Sequence, residues 1–198
     1  MSPADPTPAS TAVSAPDRGQ RIAPGGRRDV GWFTWGFTWV AGRVTGTERP
    51  NIFLTLGRHR KLFRGWLRFA GRLMPGGTLP RRESELVILR VAHVRENEYE
   101  FEHHVRLGTR AGVRPTDVER VRTGPTAHGW SGRERAMLTV ADELVTTGDV
   151  GDDAWAELRR HLDERESIEL LLLAGHYQML AGVLTALRLA PDPPRGRR

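Results

Sequence analysis

Between Arg82 and Val113 the chain reads RESELVILRVAHVRENEYEFEHHVRLGTRAGV, and Glu85, Glu100, His103 and His104 stand in it at spacings that suit proton chemistry. On an α-helix, positions 97, 100 and 104 share one face, so Glu100 neighbours His104 one turn away and also neighbours His103. A carboxylate beside an imidazole raises the imidazole pKa and orients its proton, which makes a general acid or base near neutral pH. Glu85 precedes them on another apolar-faced segment, and a helical hairpin would bring its carboxylate to the same place.

Each of these side chains also has a purely structural use. Asn97 and Glu100 have capping-box spacing, so the Glu100 carboxylate has the option of bonding back to the helix start. Glu85 has Arg81, Arg82 and Arg90 within reach as ion-pair partners. His104 fits a hydrogen-bonded interior histidine, and His103, turned partly away, fits a surface or interface residue. Glu100-x-x-His103 has the spacing of half a di-iron carboxylate site, but a second such pair and any His-Glu-x-x-His motif are missing from the sequence, so no metal is expected. Nor does the sequence carry a glycine-rich phosphate loop or a nucleophile elbow.

The chemistry must be positioned by helices. Phe53, Leu56, Leu62, Phe63, Trp66, Leu67, Phe69, Ala70 and Leu73 recur at helical spacing, with Gly57 as a possible divide and the PGG at 75–77 as a stop. Pro80 with Glu83 and Glu85 opens a helix over about 81–95. A break at 95–97 leads to a helix over about 98–111. A short helix follows over DVERVR, then one opened by Ser131 and Glu134 as a capping box, then one capped by Asp152 or Asp153. The last helix, about 166–188, is apolar on nearly every side and is expected to be central or buried against a neighbouring subunit. No strand pattern accompanies them, so the fold class is all-α with about seven helices.

At the front, residues 1–28 are rich in Pro, Ala, Ser and Thr and read as a disordered tail. Residues 29–49 hold Trp32, Phe33, Trp35, Phe37 and Trp39, whose alternation would suit a strand but finds no strand partners. They read as an aromatic arm that packs its rings on the body or on another subunit. Residues 50–190 form the domain, and 191–198 a flexible basic tail.

Composition narrows the function. Thirty basic against 24 acidic residues give a formal net charge of +6. No recognition motif accompanies that charge, so it reads as a solvated arginine-rich surface, with nucleic acid not expected as a partner. There is no cysteine, which excludes disulfides, thiolate metal sites and thiol peroxidase chemistry within the chain. The one long apolar run, Ile168 to Ala190, contains Glu169, His176, Gln178 and Arg188, each costly in a bilayer, so it reads as a buried helix and not a span. Without a secretory signal pattern at the front, a cytoplasmic protein is expected.

At ESELVILRVAHVRENEYEFEHHVRLGTRAGV the chain resembles the carboxymuconolactone decarboxylase family, which includes the alkylhydroperoxidase AhpD-like proteins. The similarity runs from NIFLTLGRHRKLFRGWLRFAGRLM to SIELLLLAGHYQMLAGVLTALRLAPD, about residues 50–192. The resemblance implies an AhpD-like helical domain assembled as a homo-oligomer, a trimer or higher. In the peroxidase branch a Glu is followed after eleven residues by Cys-x-x-Cys, three residues and a His. Here the Glu falls on Glu85 and the His on His104, while Asn97 and Glu100 stand where the thiols would be.

The decarboxylase branch dispenses with those cysteines and sets a Glu four residues before its His, the spacing of Glu100 and His104. By resemblance, a lactone bearing an unsaturated carboxylate loses carbon dioxide and a general acid protonates the resulting carbanion, with no cofactor. His104 would be the acid, Glu100 and Glu85 its tuning or relay partners. Substrate binding would fall to Asn97, His103, Arg90 or Arg106, and to His176 and Tyr177 of the closing helix. The expected function is therefore an acid–base lyase or isomerase on a small carboxylated or lactone metabolite. The competing reading is a non-enzymatic helical oligomer that has lost the thiols of an AhpD-like peroxidase.

Overall fold

A computed structural model describes residues 19–193 as an all-α protein. Its helices are α1 (Arg27–Thr45), α2 (Asn51–Leu56), α3 (Arg60–Leu73), α4 (Arg81–Val94), α5 (Glu98–Arg110), α6 (Pro115–Thr123), α7 (Gly132–Thr147), α8 (Asp152–Arg159) and α9 (Glu164–Leu187). Nine helices among the described residues exceed the expected seven because the break at Gly57 separates α2 from α3 and because the aromatic arm is itself helical.

Helix α4 is the axis of the fold. It packs against α5, α6, α7 and α9, and Leu86, Val87, Ile88, Leu89, Val91 and Ala92 are all buried. An apolar helix enclosed on all sides recovers most of the transfer free energy of its side chains, about 1.5–3 kcal/mol for each large one. On one side Val87, Ile88 and Val91 meet Met137 and Val140 of α7, Leu158 of α8 and Leu170 and Leu173 of α9. On the other, Leu86 and Leu89 meet Phe101 of α5, Val121 of α6 and Trp130. A smaller cluster joins Ile52 of α2 to Leu180 and Leu184 of α9, with Phe53, Trp66 and Tyr99 packed on it.

Local signals explain the helix ends. Ser131 and Glu134 form the expected capping box on α7, with Ser131 Oγ accepting from the Glu134 N–H at 3.2 Å and Glu134 Oε2 accepting from the Ser131 N–H at 2.9 Å. Asp163 and Glu166 do the same for α9 at 2.8 and 3.0 Å. Helix α8 starts one residue after Gly151, so Asp152 and Asp153 lie in its first turn and not at its cap.

Helix α1 packs differently from the aromatic arm that its sequence suggests. Its body-facing residues are Val30, Thr34, Thr38, Gly42 and Thr45, a small-residue ladder at helical spacing. That face lets α1 lie close, and a Cβ at Gly42 would fall 1.7 Å from the Glu48 carbonyl oxygen. The helix kinks at Gly31, whose φ of 80° suits glycine. Trp32, 79% exposed, and Trp39 point away from the body, while Phe37 turns inward onto Phe53. The helical spacing of Val30, Thr34, Thr38, Gly42 and Thr45, not the two-residue spacing of the rings, sets this element.

Both ends of the described chain are seated. The Arg21 N–H donates to the Leu187 carbonyl at 3.0 Å and that of Gly25 to Leu54 at 3.1 Å. Behind α9, Asp192 Oδ1 accepts from the Asn51 N–H at 2.7 Å, and Asn51 Nδ2 donates to the carbonyls of Ala190 and Pro191. Residues 191–193, expected as the start of a flexible tail, therefore strap α2. The remainder of both expected tails, 1–18 and 194–198, lies outside the described residues.

Candidate functional site

Helices α4 and α5 form the hairpin that unites Glu85 with His104. The turn between them passes through Glu96, at φ 51°, and α5 begins at Asn97, whose Oδ1 accepts from the Glu100 N–H at 2.9 Å. Farther along α5, Gly108 allows the helices to approach. A Cβ there would lie 3.2 Å from Val113 Cγ2 and 3.6 Å from Glu85 Cβ.

His104 Nδ1 and Glu85 Oε2 are 2.7 Å apart in the buried interior. The other Glu85 oxygen lies 2.8 Å from the Arg81 guanidinium, close enough for an ion pair but out of hydrogen-bond alignment. With Glu85 ionised, His104 donates through Nδ1, and its Nε2 is the nitrogen left to exchange a proton. The edge of the Tyr177 ring packs on His104, centroids 5.0 Å apart. Burial, and then the charges of Glu85 and Glu100, push the Tyr177 phenol far above its ordinary range, so it stays protonated.

Glu100 departs from both expectations for it. It neither bonds back to the helix start nor pairs with His104: both its carboxylate oxygens are buried without a hydrogen-bond partner. Burial alone pushes its carboxyl up to about 8, so at neutral pH it carries a proton and is an acid. The partner of His104 is Glu85, nineteen positions away on another helix.

The other predicted residues divide sharply. Asn97 is committed to structure: besides capping α5, its Nδ2 donates to the Ala181 carbonyl at 3.1 Å and to Thr185 Oγ1 at 3.2 Å on α9. Arg90 grips Asp142 with two bonds of 2.6 and 2.8 Å and donates to the Val121 carbonyl, so it is not free to bind a substrate carboxylate. Arg106 is exposed on α5. His103 is buried rather than a surface residue: its ring stacks on Tyr99, and its Nδ1 stands 3.7 Å from Asp192 Oδ2, beyond hydrogen-bond range. Burial, only partly offset by Asp192, lowers its pKa. His176 turns to α3, where it stacks on Trp66 and meets the edge of Phe69; burial lowers its pKa to about 4. Among the described residues, no group of three or more His, Asp and Glu side chains is spaced to hold a metal ion.

Three contributors escaped the sequence reading. Trp66 looked like an ordinary core position, yet its indole Nε1 is buried without a partner. Tyr99 donates its hydroxyl to Asp192 Oδ1 at 2.8 Å, and Asp192 arrives from a segment with no helical pattern to place it. Only the unusual density of aromatic and histidine residues in 53–104 hinted at this network. An open cleft of about 510 Å³ lies between the end of α4 and the start of α5, bounded by Arg90, His93, Glu96, Glu98, Phe101 and Arg122 among others. Neither His104 nor Glu85 lines it.

The family model for the carboxymuconolactone decarboxylase family matches residues 60–143, which include the whole hairpin. No curated protein matches the chain in sequence at a significant level. Among solved structures, an alkylhydroperoxidase AhpD core, an uncharacterized peroxidase-related protein from Ralstonia eutropha JMP134, superposes with a TM-score of 0.78 at 18% identity, covering 87% of this chain and 92% of its own. An uncharacterized peroxidase-related protein from Silicibacter sp. TM1040 has a TM-score of 0.78 at 16% identity, covering 91% of this chain and 96% of its own. The debrominase Bmp8, as a variant in complex with 2,3,4-tribromopyrrole, has a TM-score of 0.77 at 18% identity, covering 88% of this chain and 93% of its own. Identities this low carry the fold and not the activity.

Proposed function

Taking the chain as a cysteine-less member of the carboxymuconolactone decarboxylase family, we propose that it is a cofactor-free acid–base lyase or isomerase acting on a small lactone or carboxylated metabolite. The observation that carries this reading is the buried 2.7 Å contact between Glu85 and His104. A carboxylate that holds one imidazole nitrogen fixes the ring and its tautomer, leaving the other nitrogen as the proton-exchange point. Glu100 beside it supplies a carboxylic acid that is still protonated at pH 7.

In an isomerisation, His104 Nε2 takes a proton from the carbon next to an unsaturated carbonyl, and the electron pair enters the conjugated system. The proton returns to a different carbon from His104 or Glu100, so none is gained or lost. In a decarboxylation, the electron pair of the breaking carbon–carbon bond enters the same system as carbon dioxide leaves. One proton, delivered by His104 or Glu100 and replaced from water, completes the product. Neither route needs a thiol, in keeping with a chain that has no cysteine.

The test is a panel of small lactones and unsaturated carboxylates followed by mass spectrometry for isomerisation or loss of carbon dioxide. His104→Ala should remove turnover while the helical signal stays intact. A folded, fully active variant would sink the assignment.

A second reading is supported by the apolar surface of α1 and α9, where Trp32, Trp39, Ile168, Leu172 and Met179 are exposed. Such faces suit self-association into a trimer or higher assembly, either carrying the enzyme or, in a non-enzymatic oligomer, constituting the function. Sedimentation together with the metabolite panel separates the two: assembly without turnover on any substrate favours the second.

A further inference from the structure

The positive charge that composition presents as a general arginine-rich surface is gathered on two neighbouring helices. Together α1 and α3 hold eight basic residues and one acidic, Asp29, an excess of seven against +6 for the whole chain. On α3, Lys61, Arg64, Arg68 and Arg72 follow one another at steps of three and four, which sets them on one face, and all four are exposed. Phe63 and Leu73, on the far side of the helix, are buried. Elsewhere arginines meet acids, as Arg82, Arg90 and Arg133 do. Among the described residues, the four α3 cations have no acidic partner.

An apolar stripe borders this ladder. Trp32, Phe33, Trp39, Val40 and Val44 are exposed along the outer side of α1, away from the face of Val30, Thr34, Thr38 and Thr45 that meets the body. The Arg64 guanidinium stands 5.7 Å from the centre of the Phe33 ring, which makes stripe and ladder continuous. The Arg43 guanidinium lies 3.7 Å over the Trp39 ring, and Leu62, 65% exposed, adds an aliphatic side chain from α3. An exposed apolar stripe of this kind marks a site of interaction.

Charge decides among the possible occupants. A second copy applied through the same face would set cation against cation, which opposes a two-fold contact. A nucleic acid would satisfy the ladder but leave Val40, Val44 and Leu62 against phosphates and water. An anionic bilayer surface satisfies both components: rings and aliphatic chains enter the boundary of headgroups and acyl chains, while Lys and Arg stay at the phosphates. The outer stripe of α9, with Ile168, Leu172 and Met179, differs in its charge. That helix carries Glu164, Arg165, Glu166 and Glu169, an acidic balance that disfavours an anionic surface.

We propose that the outer face of α1 and α3 docks peripherally on an anionic lipid bilayer, with Trp32, Phe33, Trp39, Val40 and Leu62 seated in the interface and Lys61, Arg64, Arg68 and Arg72 on its headgroups. No helix crosses the bilayer in this arrangement. It is independent of the acid–base reading of Glu85 and His104, which stand on α4 and α5.

The full chain is sedimented with vesicles of phosphatidylcholine alone and with vesicles containing about one-third phosphatidylserine, while tryptophan emission is recorded. It should bind the anionic vesicles at least about ten-fold more tightly, with emission moved to shorter wavelength. Each cation near such a surface is worth about five-fold in binding, so Arg64→Gln with Arg68→Gln should weaken it about 25-fold. Arg135→Gln with Arg165→Gln removes the same charge at exposed positions of α7 and α9 and should weaken it less than about three-fold. Trp32→Ala should weaken it about ten-fold and reduce the emission shift. Equal losses in the two double variants, or no preference for the anionic vesicles, would overturn the proposal. Unaltered binding of Trp32→Ala would overturn the seating of the rings. Single-stranded DNA that strips the protein from the vesicles at an equal concentration of phosphate would overturn the choice of partner and assign the face to nucleic acid. An emission shift that grows with protein concentration in the absence of vesicles would likewise overturn it and assign the face to a second copy.

Discussion

Two buried carboxylates mark the two halves of this molecule. Asp117, at the start of α6, is fully enclosed and fully partnered: Arg82 bonds it at 2.9 Å, Arg120 at 3.0 Å, and the Arg114 N–H at 3.1 Å. Burial opposes its ionisation, but the Arg114 backbone and guanidinium together with Arg82 outweigh that and hold it at about 2. Glu100, almost as deeply buried, has no partner and is pushed up to about 8. Around Asp117 the pattern repeats, with Arg90 on Asp142 and Arg133 bridging Glu83 and Glu166. On the α3, α5 and α9 helices, atoms of Trp66, His103 and His176 are likewise buried without partners. The α6–α7 side uses its buried charge to hold helices together, whereas the α3–α5–α9 side leaves polar groups unmatched, as a binding or catalytic site does.

The comparison can be broken by exchange for the neutral isostere at each site. Asp117→Asn should cost about 3 kcal/mol in chemical denaturation, since it leaves arginines facing a lost charge, though their exposure to water softens the penalty. Glu100→Gln should be nearly neutral at pH 5, because it replaces a carboxyl that is already uncharged. Equal losses at the two positions would dissolve the distinction.

Their pH dependences should have opposite signs. Glu100, raised from 4.5 to about 8 in the folded chain, binds a proton that the unfolded chain has released, so its contribution is complete below pH 4.5 and is lost as pH rises toward 8. The slope is at most about 1.4 kcal/mol per pH unit, and Glu100→Gln should be increasingly the more stable protein from pH 5 to pH 9 by thermal melts. Asp117, lowered from 3.8 to about 2, contributes above pH 4 and loses that contribution as pH falls to 2. Wild type should therefore lose more stability than Asp117→Asn on acidification over that interval. The smallest effect belongs to neither half: Trp32→Ala, at a ring 79% exposed, should change stability by less than about 0.5 kcal/mol.

Much of the hairpin was legible in the sequence. The apolar spacing of Leu86, Leu89, Val91 and Ala92, the cap at Asn97 and the one-turn step from Glu100 to His104 are local features, and local features survive folding. What the sequence concealed was pairing across elements. Glu100 and His104 are neighbours by spacing, yet His104 takes Glu85 because α4 and α5 close tightly over Gly108. Arg90 looked available for a substrate until α7 brought Asp142 to it. Asp192 reaches Tyr99 only because the chain turns back after α9, and no periodicity announces such a turn. On α1 the rings drew attention away from the threonines that make the contact.

The central claim is that Glu85 and His104 form a working proton-transfer pair. It is tested most directly by following the exchange of carbon-bound protons of butenolide in deuterium oxide by proton NMR, with wild type, Glu85→Gln and His104→Ala compared at pH 7. Wild type should accelerate exchange, and both variants should lose about 10²–10⁴-fold of that acceleration while remaining folded. Exchange at the wild-type rate in folded His104→Ala would contradict the claim.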